Sequence, residues 1–337
     1  MSSTPATDSS PDSALDCSVP DRAVPDCTVV VPVYRNAEHI PALLDRLNQL
    51  HRDVPGGIEA VLVVDGSPDD CFQQLTSGLK DAAFPSQLLA LSRNFGSFAA
   101  IRAGLQAARG RFFAVMAADL QEPADLVVEM LQVLQDDEAD VVIGARASRR
   151  DPLLSRLASG TFWGLSRRLV EPGIPRGGVD VFGCNRAFRE QLLQLHETHS
   201  SLIGQLFWLG FRRREIAYDR APRLSGTSGW SFKAKRKYFL DSLFAFTDLP
   251  IRAFILLGLL GLIASVLLGI GVLAARLSGI IEVPGYTATV VTIVFFSGLN
   301  LFGLGVIGSY VWRVYENTKQ RPLAVVMHHQ EFKGASS

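Results

Sequence analysis

From Cys27 onward the chain alternates between two hydrophobic patterns. Short apolar runs, the first of them rich in β-branched residues, stand at Cys27–Val33, Glu59–Asp65, Gln87–Leu91 and Phe112–Ala118, and they read as buried strands. Between them, apolar residues recur at helical spacing. Ile40, Leu43, Leu44 and Leu47 do so from Glu38 to Leu50, and Ala99, Ala100, Ala103 and Leu105 do so further on. A helix from Pro123 to about Gln135 and a strand at Asp140–Gly144 continue the series. Such alternation predicts an α/β fold, a mostly parallel sheet with helices on both faces.

The pattern changes after residue 229. Trp230 to Thr247 is amphipathic, with Phe232, Phe239, Leu243 and Phe246 set against Lys233, Lys235, Arg236 and Lys237, as suits a helix lying in a membrane interface or against a partner. Two uncharged apolar stretches follow, Ala253 to Ala275 and Val283 to Trp312. Each exceeds the roughly 20 residues that a transmembrane helix needs. The expected division is a disordered tail at 1–26, a catalytic domain at 27–229, interfacial helices at 230–250, transmembrane helices at 251–275 and 286–312, and a cytoplasmic tail at 313–337.

Composition adds little to this. A hydrophobic fraction of 48% is ordinary; its concentration near one end is not. The net charge of +0 gives no bulk field to attract nucleic acid. Cys17, Cys27, Cys71 and Cys184 have neither zinc-site nor disulfide-framework spacing and fit a reducing compartment. The first 26 residues, rich in Ser, Pro and Asp, lack the apolar segment of a signal peptide and read as disordered.

Three of the predicted strands end in polar clusters: Tyr34 to Glu38, Asp65-Gly66-Ser67, and Asp119 to Glu122. In a parallel sheet these ends share one edge, where open α/β folds hold ligands. Asp119 and Gln121 together could grip a hard divalent cation. The simpler reading is a loop whose acidic residues cap the helix begun by Pro123. Three such clusters at corresponding positions favour a site over a cap.

These segments resemble a known family. Val31-Pro32-Val33-Tyr34, Val64-Asp65-Gly66-Ser67-Pro68-Asp69, Ser92-Arg93-Asn94-Phe95-Gly96 and Ala118-Asp119-Leu120-Gln121-Glu122-Pro123 are similar to the motifs of family 2 glycosyltransferases. The branch most resembled is the polyprenyl-phosphate glycosyltransferases, which include dolichol-phosphate mannose synthases and bacterial undecaprenyl-phosphate sugar transferases. The resemblance implies an A-type glycosyltransferase fold, Rossmann-like, and inversion at the anomeric carbon. It assigns Pro32, Tyr34, Glu38, Asp65, Ser67 and Asn94 to the nucleotide, and Asp119 and Gln121 to Mg2+ or Mn2+. Two positions depart from the family pattern: Val64 and Ala117 stand where carboxylates are usual. Metal ligation then rests on Asp119, Gln121, donor phosphates and water.

Arg146 follows directly on a strand end and offers a planar fork to a phosphate, and Arg149 lies close behind it. By resemblance the basic segment that follows is a mobile acceptor loop. Gly177-Gly178-Val179-Asp180 is similar to a family segment near the reacting centre, which makes Asp180 either a base or acceptor-orienting group, or simply a turn residue. Arg220 and Arg223 resemble residues near the acceptor phosphate, with lipid headgroup contacts as the competing reading.

Basic residues precede the first apolar stretch and follow the second, while the connecting loop holds only Arg276 and Glu282. The positive-inside rule puts the catalytic domain and both termini in the cytoplasm, at what the resemblance makes a bacterial inner membrane. Gly303, Gly305 and Gly308 imitate a dinucleotide fingerprint, but inside an apolar stretch and not after a strand. Gly261, Ser265 and Gly269, and likewise Gly305 and Ser309, permit close packing between spans or between subunits of a dimer or tetramer. Asn300 is expected to face protein.

The expected activity is transfer of one sugar, glucose from UDP by resemblance, to a polyprenyl phosphate such as undecaprenyl phosphate. A processive polysaccharide synthase would need a Gln-x-x-Arg-Trp segment and more spans. A membrane-tethered nucleotide-sugar binder without turnover is the alternative from another class. A nicotinamide-dependent reductase fits least, since no glycine fingerprint follows the first strand.

Overall fold

The computed structural model describes residues 25–146, 179–198, 200–220, 240–241, 244–245, 247, 249–278 and 285–334. One eight-stranded sheet organises the first part. Its strands are β1 (Cys27–Val33), β2 (Ile58–Val64), β3 (Ser86–Leu91), β4 (Phe112–Val115), β5 (Val141–Arg146), β6 (Val179–Asn185), β7 (Arg213–Tyr218) and β8 (Val326–Phe332). Their order across the sheet is β7-β5-β6-β4-β1-β2-β3-β8. β6 runs antiparallel to β4 and β5, and β8 runs antiparallel to β3; every other pairing is parallel. The expected mostly parallel α/β sheet is therefore present.

Side-chain alternation explains why the inner strands read as unbroken apolar runs. Val29, Val31 and Val33 of β1 join Ala60, Leu62 and Val64 of β2 on one face, while Val30, Val61 and Val63 point to the other. Helices α1 (Ile40–Asp53) and α2 (Cys71–Gly78) cover the first face, and Leu43, Leu47 and Leu50 are fully buried there. Each such leucine contributes about 1.5–3 kcal/mol by leaving water. The second face is covered by α3 (Ser97–Ala107), α5 (Arg186–Gln194) and α6 (Leu202–Trp208). Helix α4 (Ala124–Gln135) packs beside β4, β5 and β6. Gly104 lets α3 approach closely, because a Cβ there would overlap Val30 and press on Val63. Arg102, buried on the same helix, donates to the carbonyls of Leu192, Leu193 and Leu195 and so satisfies the end of α5.

The segment expected to be a tail proves otherwise. Residues 326–332 form the eighth strand of the catalytic sheet, so the chain returns to that sheet after its apolar region. No apolar periodicity announces β8, because it is an edge strand with exposed side chains. Its anchoring comes from polar groups. Glu59, fully buried, accepts from Thr28 Oγ1 at 3.0 Å, Gln87 Nε2 at 2.8 Å, and Arg109 N and Nε at 3.0 and 2.8 Å. Gln87 Oε1 then meets His329 Nε2 at 2.9 Å, and Arg109 Nη1 reaches Glu331 at 3.2 Å.

Two long helices stand where two spans were expected: α7 (Leu249–Leu277) and α8 (Tyr286–Thr318). Among the described residues one stretch, Phe295–Thr318, is long and apolar enough to cross a membrane, and Pro250–Gly261 is a shorter apolar segment. The helices are antiparallel, with Phe254 against Gly303 and Phe296 against Gly261. Within the single chain Gly305, expected at a packing face, has open space beside it, and Asn300 is exposed. At the foot of the hairpin Arg313 bonds Asp241 at 2.9 Å, and Phe244 meets Tyr310 edge-on at 5.2 Å. Lys319 lies over the rings of Tyr315 and Trp312, at 4.2 and 5.3 Å.

The expected disordered tail falls outside the described residues up to 24. Asp26 is held, its carboxylate paired with Arg111 at 2.6 Å and its carbonyl accepting from Phe112 N at 2.9 Å.

Candidate active site

Parallel strands place their carboxyl ends on one edge, and β1, β2, β3, β4, β5 and β7 all end there. β6 begins at that same edge, since Val179 pairs with Ala145. Asp180 therefore stands at the site edge on the second residue of β6. Arg149, Arg223 and the glycines before Val179 lie outside the described residues.

The loops after β1 and β2 are tied into one unit. Ser67 Oγ accepts from Arg35 N at 2.7 Å and donates to Asp69 Oδ1 at 2.5 Å, while Asp69 Oδ2 accepts from Ala37 N at 3.1 Å. Burial works against the charge of Asp69, but hydrogen bonds from Cys71, Ser67 and the Ala37 N–H prevail and hold it below its usual range. Arg35 adopts a positive φ of 54° and lies over Tyr34, 5.4 Å from the ring centre. Tyr34 and Glu38 are exposed at the edge; Pro32, in β1, is half-buried. The Gly-Ser-Pro-Asp turn carried the signal for this tie, because Ser and Asp side chains bond nearby backbone in turns.

The loop after β3 hangs from Asp65. One Asp65 oxygen accepts the backbone N–H of Phe95 at 2.7 Å, the other that of Gly96 at 2.8 Å. Burial pushes the Asp65 carboxyl up, against the pull of those two bonds and of Arg93. Gly66, at φ 57°, allows the close approach, because a Cβ there would enter the backbone of Arg93 and Asn94. Asn94, exposed, is displayed by this loop. Asp65, expected at the nucleoside, thus spends both oxygens on the loop that carries Asn94.

The loop after β4 turns sharply at Leu120, whose φ is 55°. Asp119 keeps 11% side-chain exposure, Gln121 is buried, and Glu122 is buried to 1%. Arg220, two residues past β7, reaches both carboxylates: Nη2 is 3.7 Å from Asp119 Oδ2, and Nε is 3.9 Å from Glu122 Oε1. Register explains the meeting. Arg146 pairs with Tyr218 at the end of β5, so Arg146 and Arg220 share the edge beside the β4 loop. Sequence reading put Arg220 at an acceptor phosphate or a lipid headgroup, and Glu122 behind the metal ligands or at a helix start. The structure joins them.

Among the described residues no three His, Cys, Asp or Glu side chains converge as a metal site. Asp119 and Gln121 offer one carboxylate and one amide oxygen in a loop that Arg220 approaches within ion-pair distance. That suits a hard divalent ion taking its remaining ligands from phosphate and water. Ala117 and Val64, at positions usually acidic, supply none; Val64 is buried in the core.

The family model for Glycosyl transferase family 2 matches residues 28–195, the segment that builds these loops. The "Uncharacterized glycosyltransferase sll0501" of Synechocystis sp. is 30% identical over 302 residues, covering 89% of this chain and 94% of its own. The "Bactoprenol glucosyl transferase" of Shigella phage SfV is 28% identical and covers 90% and 99%. The "Undecaprenyl-phosphate 4-deoxy-4-formamido-L-arabinose transferase" of Pectobacterium atrosepticum is 30% identical and covers 89% and 92%. The chain belongs to glycosyl transferase family 2, and its similarity runs through the polyprenyl-phosphate branch. It is a glycosyltransferase with an A-type α/β sheet.

Proposed function

We propose that the protein moves a single sugar from a nucleotide sugar to a polyprenyl phosphate at the cytoplasmic face of a membrane, with inversion. UDP-glucose and undecaprenyl phosphate are the assigned substrates. The observation that carries the reading is the seating of the acidic β4 loop in a sheet whose last strand returns from an apolar hairpin. Residues 319–325 alone join α8 to β8, a short link that supports a hairpin whose end stays on the catalytic side. Both α7 and α8 are read as spans. That agrees with the basic residues Arg252, Arg313, Lys319 and Arg321 at the hairpin foot. Relatives named for bactoprenol and undecaprenyl phosphate support the acceptor, and the glucosyl relatives support the sugar.

Tyr34, Glu38, Ser67 and Asn94 would line the nucleotide, with Asp65 acting through the loop it holds. Asp119 and Gln121 would hold Mg2+ or Mn2+, which supplies charge neutralisation to the diphosphate leaving group. Arg146 and Arg220, with Arg149 and Arg223, would hold the acceptor phosphate. A phosphate monoester has its second pKa near 6 and is already ionised at neutral pH. Asp180 then has an orienting task more than a proton to remove, and placement supplies most of the rate.

The test is product identification. Membranes containing the protein, given UDP-glucose and undecaprenyl phosphate, are expected to form glucosyl undecaprenyl phosphate by mass spectrometry. Another sugar on the lipid would change the donor. No lipid product with any common UDP- or GDP-sugar would overturn the reading.

A further inference from the structure

Arg220 occupies a place that an acceptor-binding arginine alone does not need. It stands between Asp119 and Glu122, at 3.7 and 3.9 Å, with 23% of its side chain exposed. The two carboxylates differ in freedom: Glu122 is 1% exposed and Asp119 11%. Arg46 Nη1 donates to the Glu122 carbonyl at 3.3 Å and fixes the backbone beneath it. Glu122 thus has little room to turn, whereas Asp119 keeps part of its side chain exposed.

A guanidinium stays charged throughout the pH range of proteins, so at every working pH it offsets one of the two carboxylate charges beside it. A divalent ion arriving at Asp119 must compete with it for the same carboxylate. We infer that Arg220 is an internal counter-ion: it holds Asp119 in the donor-free enzyme, then yields Asp119 while Glu122 keeps it in place. Glu122 is then the positioning residue that leaves Arg220 aimed at the phosphates. This rests on the reading of Asp119 as a metal ligand.

The coupling makes a prediction opposite in sign to a pure acceptor role. Mn2+ binding to the full-length protein in detergent, without donor, can be followed by loss of the free Mn2+ signal in electron paramagnetic resonance. Arg220→Met is expected to tighten donor-free Mn2+ binding by roughly 5-fold or more, the usual floor for coupled sites. It should also raise the KM for polyprenyl phosphate. Arg220→Lys, which keeps the charge, should stay near wild type in Mn2+ affinity. Glu122→Gln frees Arg220 to sit wholly on Asp119 and should weaken Mn2+ binding. Unchanged or weaker Mn2+ binding by folded Arg220→Met overturns the proposal, and so does equal tightening by Arg220→Lys. If Asp119→Asn leaves Mn2+ binding intact in the presence of UDP, the metal-ligand reading itself fails, which is a separate result.

Discussion

Asp65 accepts the backbone N–H of Gly96 at 2.8 Å, and through that bond the end of β2 fixes the loop following β3. A second oxygen on Phe95 N, at 2.7 Å, makes the grip two-pronged. An Asn at position 65 has one acceptor oxygen and no charge, so Asp65→Asn replaces one of these two part-buried, charge-assisted bonds with an amide N–H facing a donor. Hydrogen bonds to charged groups are worth about 1.5–3 kcal/mol. UDP affinity in Asp65→Asn is expected to fall about 10-fold or more by calorimetry, with the loop loosened but the sheet intact.

Glu59 and β8 test whether the C-terminal strand belongs to the catalytic fold. Removing one partner of a buried ion pair costs about 3–5 kcal/mol, and Glu59→Ala should approach the lower figure because Arg109 is part exposed. Glu331→Ala removes only the exposed branch of the same network and should cost under about 1 kcal/mol. Chemical denaturation of the two variants is expected to separate them clearly.

Asp140 sets an acid limit. The Arg212 guanidinium holds its carboxyl below the usual range, helped by Arg212 N and by Asn185. A depressed folded pKa contributes stability that is present above the unfolded value of about 3.9 and is lost as pH falls through the folded value. Asp140→Asn should therefore lose less stability than wild type between about pH 6 and pH 2. Melting temperatures across that range check the sign.

Cys27 and Cys184 are buried with thiols pushed up to about 12 by burial, and Cys71 to about 11 by burial and Asp69. Thiols this far above neutral pH are poor nucleophiles. In a Cys17→Ala background the native protein should not react with a thiol-specific disulfide reagent at about pH 8, and it should react fully after unfolding.

Much of this architecture was written in patterns that packing obeys. The buried strands and amphipathic helices followed from period and burial, and the shared edge of Asp65, Asp119 and Arg146 followed from parallel alternation. What escaped depended on partners distant in sequence. β8 is an exposed edge strand, specified by β3 and by Glu59 and not by its own periodicity. The Arg220 contact arises from register, which sets Tyr218 beside Arg146 and brings Arg220 across to the β4 loop. Glu122 reads equally as a helix-start charge or as support behind the metal ligands, because nothing local shows that its side chain is buried.

The account stands or falls on Asp119. The direct measurement is transfer of labelled glucose from UDP-glucose to undecaprenyl phosphate, with and without Mg2+ or Mn2+, by wild type and Asp119→Asn. Wild type should form labelled lipid only with the cation, and Asp119→Asn should fall by about 100-fold or more, as expected when a charge-stabilising group of the reacting site is lost. Labelled lipid formed equally well without cation, or undiminished in Asp119→Asn, would contradict it.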